Sequence, residues 1–361
     1  MSLRGEVLNH NLLFKFDAGT SRGILRNKTS YFIKIFGTSD PSIFGIGECA
    51  PLKGLSPDYG DELELRLLEI LQKIPSYKKP VDIQQAVECA EAIAGASFPS
   101  IRFALEVAFI DLMYGGKRKI FPNKFYEGID ALHINGLIWM GNSGFMLRQI
   151  KEKINSGFKC IKIKIGAIDF KAECSILGSI RKKYSPEEIE LRVDANGAFS
   201  GEDVFDKLEK LSKFHIHSIE QPVAPGQLHL MEKMCRESPI SVALDEELIG
   251  IHGNEKQDLL GKIKPAYIIL KPTLLGGLKE TSTWISLAEE QQIGWWITSA
   301  LESNIGLNAI CQFTAEYDNP LPQGLGTGQL YHNNISSPLE IEKGKIFYNN
   351  KKHWELHTIG L

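Results

Sequence analysis

Asp194, Glu220 and Asp245 recur about every 25 residues, each closing a short apolar run, and lysines close the runs on either side of them. The runs are 160–164 (CIKIK), 189–194 (IELRVD), 216–220 (IHSIE), 241–245 (SVALD) and 267–271 (YIILK). Two aspartates and a glutamate offer hard oxygen donors, which Mg2+ prefers, and three carboxylates leave coordination positions for water or substrate. Neither histidine nor cysteine ends one of these runs, which argues against zinc. Lys162 and Lys164 stand two apart, so on a strand both point the same way. Their mutual repulsion beside a divalent cation is expected to lower the pKa of one until it serves as a neutral base. Lys271 ends a run four strands later, so a substrate held between Lys164 and Lys271 meets an amine on each face. This set suits removal of a proton beside a carboxylate, a weak carbon acid whose enediolate needs a cation and ammonium groups as charge develops.

Such residues must be brought together by the chain. The intervals between runs are long enough for a loop and a helix, which reads as parallel strand–helix repeats closing into a barrel. Seven or eight repeats fit between the run at 133–139 and a last strand near 323–326. The strand ends of such a barrel meet at one face, where its active sites lie. Residues 6–16, 30–36 and 44–48 alternate like antiparallel strands, and 61–74, 82–93 and 100–113 follow with helical spacing. They read as a separate α+β domain of about 125 residues. The segments 17–23 and 49–56, rich in small and turn-forming residues, are candidate lids over the site, with Arg22, Leu25 and Leu52 as substrate contacts. In the tail, 344–348 and 353–357 read as strands returning to the first domain.

Smaller features surround the charged set. Asn196 can hydrogen-bond a metal ligand or the substrate, or simply form an Asn-Gly turn with Gly197. Arg192, on the face of Asp194, can steer the lysines or pair with a carboxylate. Glu246 and Glu247 adjoin Asp245. The segment 298–306, with Ser299 and Ser303, holds hydroxyls and a helix start able to bind a carboxylate through backbone N–H groups.

Composition sets the limits. The 361 residues are 43% hydrophobic and 24% charged, with a net charge of −3 and no block of like charge. That excludes a broad basic surface for nucleic acid or a membrane patch, and a small anionic carboxylate substrate needs local positive charge instead. Six scattered cysteines form no CxxC pair, no apolar signal core opens the chain, and no run reaches a membrane span, so a cytoplasmic location with reduced thiols is expected. A homo-oligomer is compatible with this composition.

The pairs Lys162-x-Lys164, Asp194-Ala-Asn196, Glu220-Gln-Pro222, Asp245-Glu246 and Leu270-Lys271-Pro272 together resemble the muconate-lactonizing branch of the enolase superfamily, over nearly the whole chain. Within it, 271–277, 299–306 and 324–327, including Gly324, are most similar to the o-succinylbenzoate synthases. The resemblance implies an α/β fold: a modified TIM barrel, (β/α)7β, over 131–329, and an α+β capping domain over 1–130 completed by the tail 330–361. It also implies a Mg2+-dependent lyase, with Mn2+ able to substitute. The implied reaction is syn dehydration of 2-succinyl-6-hydroxy-2,4-cyclohexadiene-1-carboxylate to 2-succinylbenzoate, a step of menaquinone biosynthesis. Lys164 would take the α-proton and return it to the leaving hydroxyl, Lys271 would stabilise the enediolate, and Lys162 would contact the carboxylate or tune Lys164. Asp194, Glu220 and Asp245 would hold the metal. Related N-acylamino-acid racemases and dipeptide epimerases share these residues. The epimerases resemble one another in an Asp-x-Asp motif on the last strand, where this chain has Gly324-Leu325-Gly326. A non-catalytic scaffold is the remote alternative.

Overall fold

The computed structural model describes residues 2–20 and 23–361. Strands β1 (Leu3–Thr20), β2 (Gly23–Gly37) and β3 (Asp40–Cys49) form an antiparallel sheet in that order. Of segment 17–23, read as a candidate lid, the described residues 18–20 and 23 are paired strand: Ala18 faces Leu25 and Gly19 faces Ile24 across the hairpin end. Its small residues serve close approach as much as turning. Arg22 lies outside the described residues.

Helices α1 (Leu63–Lys73), α2 (Ile83–Ala94) and α3 (Pro99–Met113) follow. Asp82 caps α2 by accepting from the Gln85 amide at 2.8 Å. α3 is buried on all sides from Pro99 to Leu112, because it is packed between β3 and the rest of the chain. It lies directly on the backbone of β3: a Cβ at Gly45 or Gly47 would stand 1.9 or 1.8 Å from the Ala108 or Ala104 carbonyl oxygen. Small residues on both partners permit this distance.

β4 (Ala131–His133) precedes the parallel strands β5 (Gly136–Ile138), β6 (Cys160–Lys164), β7 (Glu190–Asp194), β8 (Ser218–Glu220), β9 (Ser241–Leu244), β10 (Tyr267–Leu270) and β11 (Gly294–Ile297), hydrogen-bonded in chain order. Between and after them run α4 (Ser143–Asn155), α5 (Phe170–Arg181), α6 (Val204–Ser212), α7 (Leu228–Glu237), α8 (Glu255–Ile263), α9 (Pro272–Leu275), α10 (Leu278–Glu290) and α11 (Asn304–Thr314). The strands are buried on both faces, as a parallel sheet covered by helices requires, so their apolar runs are almost continuous. Gln323 and Gly324 close the barrel. The Gly324 amide donates to Ile297 O (2.8 Å) on one side, and the Gln323 amide to His133 O (2.8 Å) on the other. This is a (β/α)7β barrel.

The tail differs from expectation. β12 (Leu339–Glu342) and β13 (Lys345–Tyr348) pair with each other and with β4, not with the first sheet. Residues 353–357 form no strand; a single 3-10 turn spans Leu356–Ile359, and Trp354, Leu356 and Ile359 pack against Phe32 and Ile46 of the first sheet. Residues 354–359 thus return to that sheet by side-chain packing.

Candidate active site

Parallel register sets the floor of the site. Lys164 pairs with Asp194, and Asp194 with Glu220, on successive strands, while Lys162 lies one inward layer below, opposite Arg192. Asp245 directly follows β9 and Lys271 directly follows β10. All six of Lys162, Lys164, Asp194, Glu220, Asp245 and Lys271 are buried.

Their contacts form one charged network. Lys162 Nζ reaches up to Glu220 Oε2 at 2.6 Å and Asp194 Oδ2 at 3.0 Å. Lys164 Nζ donates to Asp194 Oδ2 (3.0 Å) and Asn196 Oδ1 (2.7 Å), and Lys271 Nζ to Asp245 Oδ2. Asn196 fixes this corner: its amide donates to Asp194 Oδ1 (3.0 Å) and its Nδ2 to Glu246 Oε1 (3.1 Å). Behind it Gln221 accepts from the Asp245 and Glu247 amides at 3.2 Å each and donates to Glu247 Oε2 at 3.0 Å. Glu246 and Gln221 therefore support the carboxylate set from outside.

Charge follows from this packing. Burial alone would drive Lys162 towards its neutral form, but Asp194 and Glu220 more than offset it and raise its pKa above the ordinary lysine value. Burial likewise opposes, and Asp245 outweighs, at Lys271, whose pKa is raised. Asp194 is held well below the carboxylate range by Lys162 and Lys164 against burial. Burial and the charge of Asp194 push Glu220 upward, with Lys162 opposing.

Three dry carboxylates, one of them left short of positive charge, are a donor set that fits a small hard cation such as Mg2+. Among the described residues no three Asp, Glu, His or Cys side chains converge as a metal cage; the lysine ammonium groups stand on the carboxylate oxygens instead.

Over this floor lies a cavity of about 680 Å3, in the range for a small ligand. Lys162, Lys164, Asp194, Asn196 and Lys271 line its base, and Gly324, Gly326, Ser299 and Leu301 one wall. Leu25 and Leu52, named from sequence, line it from the first domain with Phe16. Trp139 stands with its ring centroid 5.9 Å from Lys164 Nζ. Gly324 has no room for a side chain, since a Cβ would meet Thr298 Oγ1 at 1.8 Å.

Two sequence-based candidates sit elsewhere. Arg192 does not reach the lysines: it pairs with Glu190 (2.7 Å), donates to Pro322 O (2.9 Å) and stacks on Trp296 with its guanidinium 4.1 Å from the ring centroid, on the barrel floor. The same-face rule gave its direction and not its depth. Ser303 and the start of α11 do bind a carboxylate, but it is that of Glu48 from β3, which accepts from the Ser303 amide (2.7 Å), the Ser303 hydroxyl (2.5 Å) and the Gly306 amide (2.9 Å). Ser299 lines the cavity with its hydroxyl already engaged, donating to Glu302 and accepting from Thr327 Oγ1 at 2.7 Å. Glu48, Glu302 and Lys28, given no role from sequence, are buried charges on β3, just before α11 and on β2.

Comparison with known proteins places this geometry. The family described as enolase C-terminal domain-like matches residues 146–351. An o-succinylbenzoate synthase from Desulfotalea psychrophila is 45% identical over 357 residues, covering 93% of this chain and 96% of the relative. The crystal structure of MenC from the same organism superposes with a TM-score of 0.85 at 38% identity, covering 96% of this chain and 100% of that one. A dipeptide epimerase from Enterococcus faecalis, solved with Mg and a dipeptide, shares the fold at TM-score 0.82 and 20% identity, over 97% and 98% of the two chains. The chain belongs to the enolase superfamily, within its o-succinylbenzoate synthase family.

Proposed function

We infer that the protein dehydrates 2-succinyl-6-hydroxy-2,4-cyclohexadiene-1-carboxylate to 2-succinylbenzoate, the step that belongs to menaquinone biosynthesis. The observation that carries this reading is the pair Lys164 and Lys271, drawn from strands four apart, both lining one cavity above Asp194. Near-full-length identity to an o-succinylbenzoate synthase supports it.

In this reading Lys164 removes the proton α to the ring carboxylate, and the C–H electron pair moves into the carboxylate as an enediolate. Lys271, as an ammonium on the opposite face, lies against the developing negative charge. Collapse of the enediolate expels the ring hydroxyl from the face that Lys164 occupies, and the proton on Lys164 leaves with it as water. Both steps on one face make the elimination syn. Asn196 holds Lys164 in place through its Oδ1, and Lys162 sets the charge beneath. Asp194, Glu220 and Asp245 would hold a divalent cation such as Mg2+, which would supply positive charge against the substrate carboxylate. We further propose a division of the chain into a barrel over 131–329 and a cap over 1–130 with 330–361, which the packing of Trp354, Leu356 and Ile359 on the first sheet supports.

N-acylamino-acid racemisation uses the same two lysines, and a relative from Thermus thermophilus named N-succinylamino acid racemase is 27% identical over 83% of this chain. The deciding experiment is loss of diene absorbance with purified protein and Mg2+, with Lys164→Ala and EDTA controls. Turnover at kcat/KM above about 10^4 M−1 s−1, abolished in both controls, is the expected result. Absence of turnover, with α-proton exchange in N-succinylamino acids, would move the assignment to racemisation.

A further inference from the structure

Leu301 stands in the cavity wall with a left-handed backbone, φ +64°. There a leucine Cβ crowds the neighbouring carbonyl, so the conformation persists only where the surroundings over-determine it. Three groups do so. Its amide donates to Ser299 Oγ (3.1 Å), and its carbonyl accepts from both Lys28 Nζ (2.9 Å) and Tyr331 Oη (2.7 Å). Lys28 also donates to Ala300 O at 3.3 Å.

The two donors come from different parts of the chain. Lys28 is on β2, and Tyr331 follows the strand that closes the barrel. Both are buried, and both lie behind the wall: neither is among the residues that line the cavity. Burying an ammonium is costly, and here its hydrogen bonds go to two consecutive main-chain oxygens. The result is visible at the side chain. Leu301 turns into an apolar cluster with Phe14, Trp139 and Leu330, joined by Leu25 and Leu52, where the first sheet meets the barrel above the lysines.

We propose that Lys28 and Tyr331 are positioning residues that hold Leu301 in its left-handed conformation, and that Leu301 so held is the apolar wall selecting the non-reacting part of the substrate. For its substrate this rests on the dehydratase reading.

Glycine adopts positive φ freely, so a grip on residue 301 becomes superfluous in Leu301→Gly. The test is a double-mutant cycle of Lys28→Met with Leu301→Gly, reading KM and kcat on the cyclohexadiene carboxylate and amide hydrogen exchange of the peptide over 299–303. Lys28→Met should raise KM about 10-fold, change kcat less than about 3-fold, and speed exchange; in the Leu301→Gly background it should change KM less than about 2-fold. Equal effects in both backgrounds, the result of a merely structural lysine, overturn the proposal, as does an unchanged KM and exchange in Lys28→Met. Tyr331→Phe, which deletes one hydroxyl, runs through the same cycle if Lys28→Met does not fold, with about a 3-fold rise in KM expected. Should the wild-type protein not turn over this substrate, the dehydratase reading fails, and the exchange measurements in the two backgrounds still decide whether the grip exists.

Discussion

The carboxylate of Glu48 is seated on Ser303, taking its amide at 2.7 Å and its hydroxyl at 2.5 Å, so a strand of the first sheet caps a barrel helix. Glu48 also accepts from Ser30 Oγ (2.7 Å) and the Gly306 amide (2.9 Å). The helix N-terminus, a ready anion site, is thereby filled from within the chain.

Removing this carboxylate leaves buried donors without a partner. Glu48→Ala should lower unfolding stability by about 3 kcal/mol in denaturant titration, and Glu48→Gln, which keeps one acceptor oxygen and turns the other into a donor, by roughly half of that. A loss below about 0.5 kcal/mol for the alanine variant would show that water replaces the seat without cost.

Lys164→Ala and Lys271→Ala should each lower kcat by about 10^3-fold or more while far-ultraviolet circular dichroism stays unchanged. A Lys271→Ala enzyme retaining wild-type kcat would remove that residue from the chemistry.

Metal dependence is expected to follow the carboxylates. Dialysis against EDTA should abolish turnover and added Mg2+ restore it, with Mn2+ as a substitute. Asp194→Asn or Glu220→Gln should weaken Mg2+ binding at least about 10-fold by calorimetry. Unchanged binding in both variants would place the cation elsewhere.

Stability should fall on the alkaline side because of Glu106. This α3 side chain accepts from the Leu278 amide at 2.5 Å, at the start of α10. Burial, against Arg102, pushes its pKa up to about 8 from the model-compound 4.5. Between those values the folded state binds the proton and the unfolded state does not. The contribution is therefore complete below the ordinary carboxylate range and is lost as pH rises through about 8. Asp111, pushed up to about 6, acts in the same direction over a lower window. Glu106→Gln should flatten the decline between pH 6 and 9, which in the wild type is on the order of 2 kcal/mol or more. Parallel profiles for the two proteins would count against a protonated Glu106.

Legibility in the sequence followed the range of each interaction. Strands β6–β10 could be read because each is a short apolar run ending in a charge, and α1–α3 because their apolar spacing is local. Lys162, Lys164 and Asp194 fall at one cavity because strand alternation and parallel register carry them there. Arg192 obeys the same alternation and ends a layer lower, since periodicity specifies a face and not a height. The helix start at Ser303 was recognisable as an anion site. Its occupant, Glu48, is 255 positions away and no periodicity connects them. Lys28 and Leu301 are linked over 273 positions, and Glu106 and Leu278 over 172. Segment 17–23 looked like a loop because small residues mark both turns and tight strand pairing.

The apolar cluster over the cavity joins opposite ends of the chain: Phe14 bridges to Tyr331, the Lys15 amide donates to Leu330 O at 2.9 Å, and the His332 amide to Leu13 O at 2.9 Å. Contacts closed over such long stretches of chain are slow to form, while each strand–helix repeat of the barrel assembles from neighbours. The order of assembly is thereby biased: the repeats come first and the roof last. Refolding followed at the barrel core residues Trp284, Trp295 and Trp296 should then reach its end before ligand binding recovers, so that a newly made molecule passes through a stage with its lysines in place and its chamber still open to water.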